Sequence, residues 1–233
     1  MEFLHAQRLQ FGWLCMLLCI FHAAHSSSYS SAADGKVSLG LYYESLCPYS
    51  ANFLVNYVAN IVNDAELNSI VDLHLSPWGN AKIRGNDKFS CQHGPYECLL
   101  NTVEACAIDI WPRLNEHFPL IYCIESLVSK GKYIHWQSCF ETLGFDIQPV
   151  IDCFTSARGE ELELEYASET EALVPPHEYV PWVVVDGEPL YEDYENVVSY
   201  ICNAYKGTPA PTACNDITQT VMARKSGVPF SMQ

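Results

Sequence analysis

Positive charge is scarce in this chain. Its 233 residues carry 12 Lys and Arg against 28 Asp and Glu, a formal net charge of −16 at pH 7. A surface of that sign repels phosphate, which argues against nucleic-acid partners and disfavours anionic membrane surfaces. The chain also lacks an N-x-S/T sequon, so sorting through N-linked sugars has no support in it. Internal repeats are absent. Past the N-terminal leader, no apolar run approaches the roughly 20 residues that cross a bilayer. Only 17% of residues are charged while 49% are hydrophobic, a balance that excludes a disordered chain and predicts a buried core. The length suits one sizeable domain, or a compact domain with a large insertion.

The leader itself reads as a secretory signal. Phe11 to Phe21 (FGWLCMLLCIF) is an apolar run of the right length, behind Arg8 and ahead of the small residues from Ala23 to Ser28. Residues 1–26 are therefore expected to be cleaved, leaving a mature chain with no membrane span. Eleven cysteines are present. Cys15 and Cys19 leave with the signal, and Cys47, Cys91, Cys98, Cys106, Cys123, Cys139, Cys153, Cys202 and Cys214 remain. In an oxidising compartment such a density predicts a disulfide framework. Nine is an odd number, so at least one thiol is left over.

Along the mature chain, Lys36 to Tyr43 alternates apolar residues and predicts a strand. Glu44 to Leu46 makes a short turn, and Cys47-Pro48-Tyr49-Ser50 opens a helix whose apolar stripe runs through Phe53, Leu54, Tyr57, Val58, Ile61 and Val62. Pro48 suits the first helical position. A second strand follows over Ile70 to Leu75, and the order strand, helix, strand predicts a parallel pair. From Cys91 to about Cys153 lie six of the mature cysteines among helical segments: Glu97 to Trp111, Pro119 to Val128, and Ser138 to Leu143. This region reads as an all-helical insertion stapled by disulfides. The six glutamates between Glu160 and Glu171 read as a solvated acidic stretch. Regular α/β character returns with Val180-Pro181 and the apolar strand Trp182 to Val185. Asp186-Gly187 is a hairpin signal, and Tyr194 to Tyr205 a final helix. The Pro-, Thr- and Ser-rich segment from Gly207 onward is expected to be a flexible tail, apart from Cys214.

The chemistry concentrates at Cys47. The first turn of a helix presents unpaired N–H groups and a positive partial charge, both of which favour thiolate over thiol. Thiolate is the species that attacks a disulfide. Cys47 also stands apart from the dense cysteine cluster, which makes it the natural candidate for the unpaired thiol. The other eight cysteines are the disulfide candidates, and eight allow 105 pairings that spacing does not narrow. Two histidines offer themselves as partners for Cys47. His177 would make a Cys-His hydrolase, and nothing around Cys47 supports it. His93 would serve as a base or as half of a metal site with Cys91 and Cys98, but structural zinc needs reduced thiolates and disulfides remove them. No metal is expected.

The segment Cys91-Gln92-His93-Gly94-Pro95-Tyr96-Glu97-Cys98-Leu99-Leu100-Asn101, with Cys106 following, resembles the CQHGxxECxxNxxxxC signature of the gamma-interferon-inducible lysosomal thiol reductases. The CPY-type motif upstream and VPWVVVDG downstream stand in the order this family shows. The resemblance implies an α/β thioredoxin-like fold over residues 36–206 with a helical insertion at about 88–170 and a tail at 207–233. It implies a cis Val180-Pro181 peptide beside the redox cysteine, with backbone groups exposed to an extended substrate. It also implies reduction of protein disulfides in an acidic endosomal or lysosomal compartment, or outside the cell, without a bound cofactor. One departure matters. Ser50 stands where the family's CxxC motif has its second, resolving cysteine. Three routes stay open at that point. An external thiol such as cysteine or glutathione resolves the mixed disulfide; another cysteine of the chain does so; or turnover is lost and a non-catalytic secreted binding protein retains the fold. The oligomeric state is not legible in the sequence.

Overall fold

The computed structural model describes residues 35–85 and 88–215, so the expected signal peptide and the end of the tail lie outside the described residues. The first strand, β1 (Val37–Tyr43), is buried at every position except Ser38. That pattern follows from its place inside a four-stranded sheet. It pairs in parallel with β2 (Val71–Pro77), Val37 against Val71 through Tyr43 against Pro77. On its other side it pairs antiparallel with β5 (Trp182–Val185), Leu39 against Val185. A two-residue β6 (Glu188–Pro189) closes the edge through the Asp186-Gly187 turn.

The crossover between β1 and β2 is helical but not uniform. Its first piece, α1 (Pro48–Phe53), runs through a π-helical stretch at Leu54–Val58 into α2 (Ala59–Asn63). Phe53, Leu54, Val58 and Ile61 of the expected stripe are buried, whereas Tyr57 and Val62 are only half-buried. A further short helix, α3 (Ala65–Ile70), was not foreseen. Asp64 caps it, its Oδ1 accepting the N–H groups of Glu66 and Leu67 at 2.9 and 3.0 Å. It takes Ile70, so the second strand starts one residue later.

After β2 comes a small hairpin, β3 (Lys82–Arg84) with β4 (Lys88–Ser90), and then the helical insertion: α4 (Pro95–Ile110), α5 (Leu114–Val128), α6 (Ser138–Leu143), α7 (Gln148–Phe154) and α8 (Ala157–Glu171). Three disulfides lie within it, Cys91–Cys98, Cys106–Cys153 and Cys123–Cys139. The insertion has its own apolar core around Leu100, Leu120, Ile124, Trp136 and Phe140. Helix α5 bridges to the sheet core, where Phe118 and Ile121 pack with the β1 side chains. This docking explains why α5 starts at Leu114, five residues before the expected Pro119. The proline sits inside the helix and removes one backbone hydrogen bond, while the buried apolar residues on both sides of it hold the helix in place.

In the acidic stretch Glu160, Glu161, Glu165 and Glu171 are exposed, as expected of a solvated segment, while Glu163 is buried. The segment is a helix, Ala157–Glu171, that also has an inward face: Leu162, Glu163, Tyr166, Ala167 and Thr170 are buried. Leu162, Tyr166 and Thr170 recur at a spacing of four, the helical signal that the glutamates between them obscure. The last helix, α9 (Val197–Ala204), buries Val197 and Ile201. Beyond it the chain does not break away at residue 207. Cys214 is buried and bonded to Cys202, which ties the start of the tail to α9.

Candidate active site at the start of the first helix

Cys47 occupies the N-cap of α1, with Pro48 following at the first helical position. Its backbone N–H donates to the Glu44 carbonyl at 3.2 Å, closing the turn after β1, and its carbonyl accepts the Ala51 N–H at 3.0 Å. It is the one free cysteine among the described residues. The side chain is 5% exposed, while Pro48 and Tyr49 beside it face solvent, Tyr49 at 70%. The Cys47 thiol lies 3.9 Å from the carbonyl oxygen of Val180, and the Val180–Pro181 peptide is cis. Three residues on, Ser50 is fully buried and its hydroxyl has no hydrogen-bond partner. Cys47 at the N-cap and Ser50 three residues on thus bracket the first turn of α1.

The signature segment packs onto the turn before Cys47. The Cys91–Cys98 disulfide closes a loop that delivers Gly94, at φ 97°, to the N-cap of α4. From α4, Asn101 Oδ1 accepts the Ser45 N–H at 3.0 Å, and the Glu97 carbonyl accepts the Ser45 hydroxyl at 3.2 Å. His93 Nδ1 meets Glu97 Oε2 at 2.5 Å and stands 3.4 Å from Glu44 Oε2. His93 is thus neither a base on Cys47 nor a partner of cysteine thiolates. The hydrogen-bond partner of Cys47 is the Val180 carbonyl, and Cys91 and Cys98 are bonded to each other. Burial, and then the facing Glu97 carboxyl, push Glu44 up to about 7. Gly79, at the end of β2, allows this close packing. Its φ is +58°, and a Cβ there would stand 2.6 Å from the Glu44 Cγ. His177 is half-buried beside Lys82, and burial lowers its pKa.

Behind the turn lies a second acid cluster that the sequence reading missed. Tyr43 donates its hydroxyl to Glu104 Oε2 at 2.5 Å. Glu104 and Glu125, on α4 and α5, are both fully buried and face each other. Desolvation raises both carboxyls well out of the ordinary carboxylate range; Glu125 also feels Glu104 first and Cys47 after it. The signal was present in α4, where Glu97, Asn101 and Glu104 recur at spacings of four and three. They lie among Leu100 and Val103, on the face that a core-facing helix buries.

Against known proteins, the family model for gamma interferon inducible lysosomal thiol reductase matches residues 38–143. A gamma-interferon-responsive lysosomal thiol protein of Arabidopsis thaliana is 42% identical over 205 residues, 86% of this chain and 83% of its own length. The gamma-interferon-inducible lysosomal thiol reductase of Mus musculus is 38% identical over 79% of this chain and 74% of its own. The chain belongs to the gamma-interferon-inducible lysosomal thiol reductase family. It is a thiol oxidoreductase. Among solved structures, MdbA from Corynebacterium diphtheriae, a thiol-disulfide oxidoreductase, superposes with a TM-score of 0.50 at 13% identity, covering 73% of this chain and 85% of that one. That likeness concerns the fold alone. The fold is thioredoxin-like and α/β, with a disulfide-stapled helical insertion.

Proposed function

We propose that this thiol oxidoreductase works through Cys47 alone, on disulfides of protein clients, with an external small thiol completing each turnover. The observation that carries this reading is the placement of the unpaired Cys47 at a helix start, against the carbonyl of a cis proline peptide. In the first step the Cys47 thiolate attacks one sulfur of a client disulfide. A mixed disulfide forms, and the other client sulfur leaves as a thiolate. A small thiolate, such as cysteine or glutathione, then attacks Cys47 Sγ and releases the first client sulfur reduced. A second small thiol restores Cys47 and departs as the oxidised dimer, so two electrons pass from two small thiols to one client. Val180 and Pro181 are the backbone edge on which an extended client segment would lie. The eight other described cysteines are all paired in disulfides, which favours external resolution over an internal second thiol. Four disulfides favour an oxidising compartment, and the reading puts the chain in the secretory pathway, outside the cell or in a lysosomal or vacuolar compartment.

Restoring the second thiol tests the reading. The buried Ser50 hydroxyl lacks a partner, which costs about 1–3 kcal/mol, so Ser50→Cys should fold at least as well as the parent. With a disulfide-bonded client and limiting small thiol, this variant should turn over faster, while Cys47→Ser should be inert and form no mixed disulfide. Should the parent and Ser50→Cys be equally inert under excess glutathione, the chain is a binding protein that has kept the fold.

A further inference from the structure

The turn that delivers Cys47 carries a second constellation, which the thiol chemistry does not use. Glu44, three residues before the nucleophile, is fully buried. Its Oε1 accepts the Asn80 N–H at 2.8 Å, but its Oε2 has no hydrogen-bond donor and stands 3.4 Å from His93 Nδ1. The same ring nitrogen meets Oε2 of Glu97, also fully buried, at 2.5 Å, and the other Glu97 oxygen accepts the His93 backbone N–H at 3.1 Å. One oxygen from each carboxyl and one imidazole nitrogen therefore lie within 4.8 Å of one another. The His93 side chain is 34% exposed, which leaves a way in from solvent.

Two carboxyl groups buried face to face share a single imidazole, so three potential ligand atoms converge while the second Glu44 oxygen has no donor of its own. A cation placed among them would satisfy that oxygen. Ligands at about 2.0–2.2 Å in a tetrahedral shell stand roughly 3.3 Å apart. The Glu44–His93 pair already has that separation, and the Glu97–His93 pair needs to open by less than an ångström. In both carboxyls one oxygen is held by a backbone N–H while the other points into the cluster, the outer-shell support that orients metal ligands. Two carboxylate oxygens with one imidazole nitrogen suit a borderline ion such as zinc better than calcium or magnesium, which prefer all-oxygen sites.

We propose that Glu44, His93 and Glu97 form a zinc-class cation site, with water completing the shell, that clamps the turn preceding Cys47. The clamp acts through the chain. The Glu44 carbonyl accepts the Cys47 N–H, and the helix that carries Glu97 holds Ser45. The test uses the full mature chain with Cys47 blocked by iodoacetamide, so that no free thiolate competes and binding is read without turnover. Titration with zinc chloride should show one saturable site that millimolar magnesium does not displace. X-ray absorption should show a nitrogen and oxygen shell without sulfur. Glu44→Gln and His93→Gln should each weaken binding by on the order of 100-fold, as expected for losing one of three ligands. The proposal is overturned by an absence of saturable binding, by a sulfur shell, or by unchanged affinity in the folded variants. If the buried Glu44→Gln substitution prevents folding, the half-exposed His93→Gln variant and the ligand shell of the parent decide.

Discussion

Replacing Glu163 by glutamine should make the protein more stable at neutral pH and change little in acid. Glu163 lies on α8 with no exposed surface, and neither carboxyl oxygen has a hydrogen-bond partner. The nearby Thr102 hydroxyl is committed to the Cys98 carbonyl at 2.9 Å. Desolvation raises the Glu163 carboxyl well above its ordinary 4.5. A carboxyl with a raised pKa in the folded state binds a proton there that the unfolded chain has already released. Stability is then complete below 4.5 and falls as pH rises above it. Each pH unit over which the folded carboxyl keeps a proton that the unfolded chain has released costs about 1.4 kcal/mol. Glutamine keeps the shape and removes the titration. Any fixed cost of burying its amide is the same at both pH values, so the quantity to read is the difference between them. Urea unfolding of parent and Glu163→Gln at pH 4 and pH 7 should show the variant gaining stability relative to the parent between the two, at a rate of up to about 1.4 kcal/mol per pH unit above 4.5, each kcal/mol being worth roughly 2–4 °C in Tm for a domain of this size. An equal offset at both pH values would refute the reasoning. Glu104 and Glu125 act in the same direction, so the parent itself should be more stable in acid than at neutrality.

Three further outcomes are expected. Alkylation of the native protein without reductant, mapped by mass spectrometry, should modify Cys47 and none of the eight bonded cysteines. Loop-closure entropy makes the Cys106–Cys153 bond, 47 residues apart, worth about 4 kcal/mol and the Cys91–Cys98 bond, 7 apart, about 2 kcal/mol. Paired alanine substitutions followed by denaturant unfolding should reproduce that order. Gly79→Ala should cost about 1–3 kcal/mol for its left-handed backbone alone. It should also alter the alkylation rate of Cys47, because the new methyl displaces Glu44; an unchanged rate would show that the Glu44 turn does not position the thiol.

The local signals in the sequence were of two kinds, and both reached the structure. A strand that runs into Cys47-Pro48 and an amphipathic helix is written in consecutive residues. So are the apolar Trp182 to Val185 strand and its Asp186-Gly187 turn. Each depends on neighbours a few positions apart, where periodicity and backbone preference decide the outcome. The odd number of cysteines pointed to a leftover thiol. Where strong local signals conflicted with packing, packing prevailed: Pro119 lies inside α5, and the glutamates of α8 hide a buried stripe of Leu162, Tyr166 and Thr170.

What the chain's order of residues could not decide is which distant groups meet. The partners of the eight bonded cysteines, the facing of Glu104 and Glu125, and the meeting of Glu44 with His93 all join segments from different elements. Tyr43 and Glu104 are 61 residues apart, and Cys47 and Val180 are 133 apart. No local preference encodes such distances. They arise when α4 and α5 dock on the end of β1 to bury their apolar faces, carrying the acids inward with them. The sequence by itself determined a cysteine at a helix start; the tertiary structure alone determined the company that cysteine keeps.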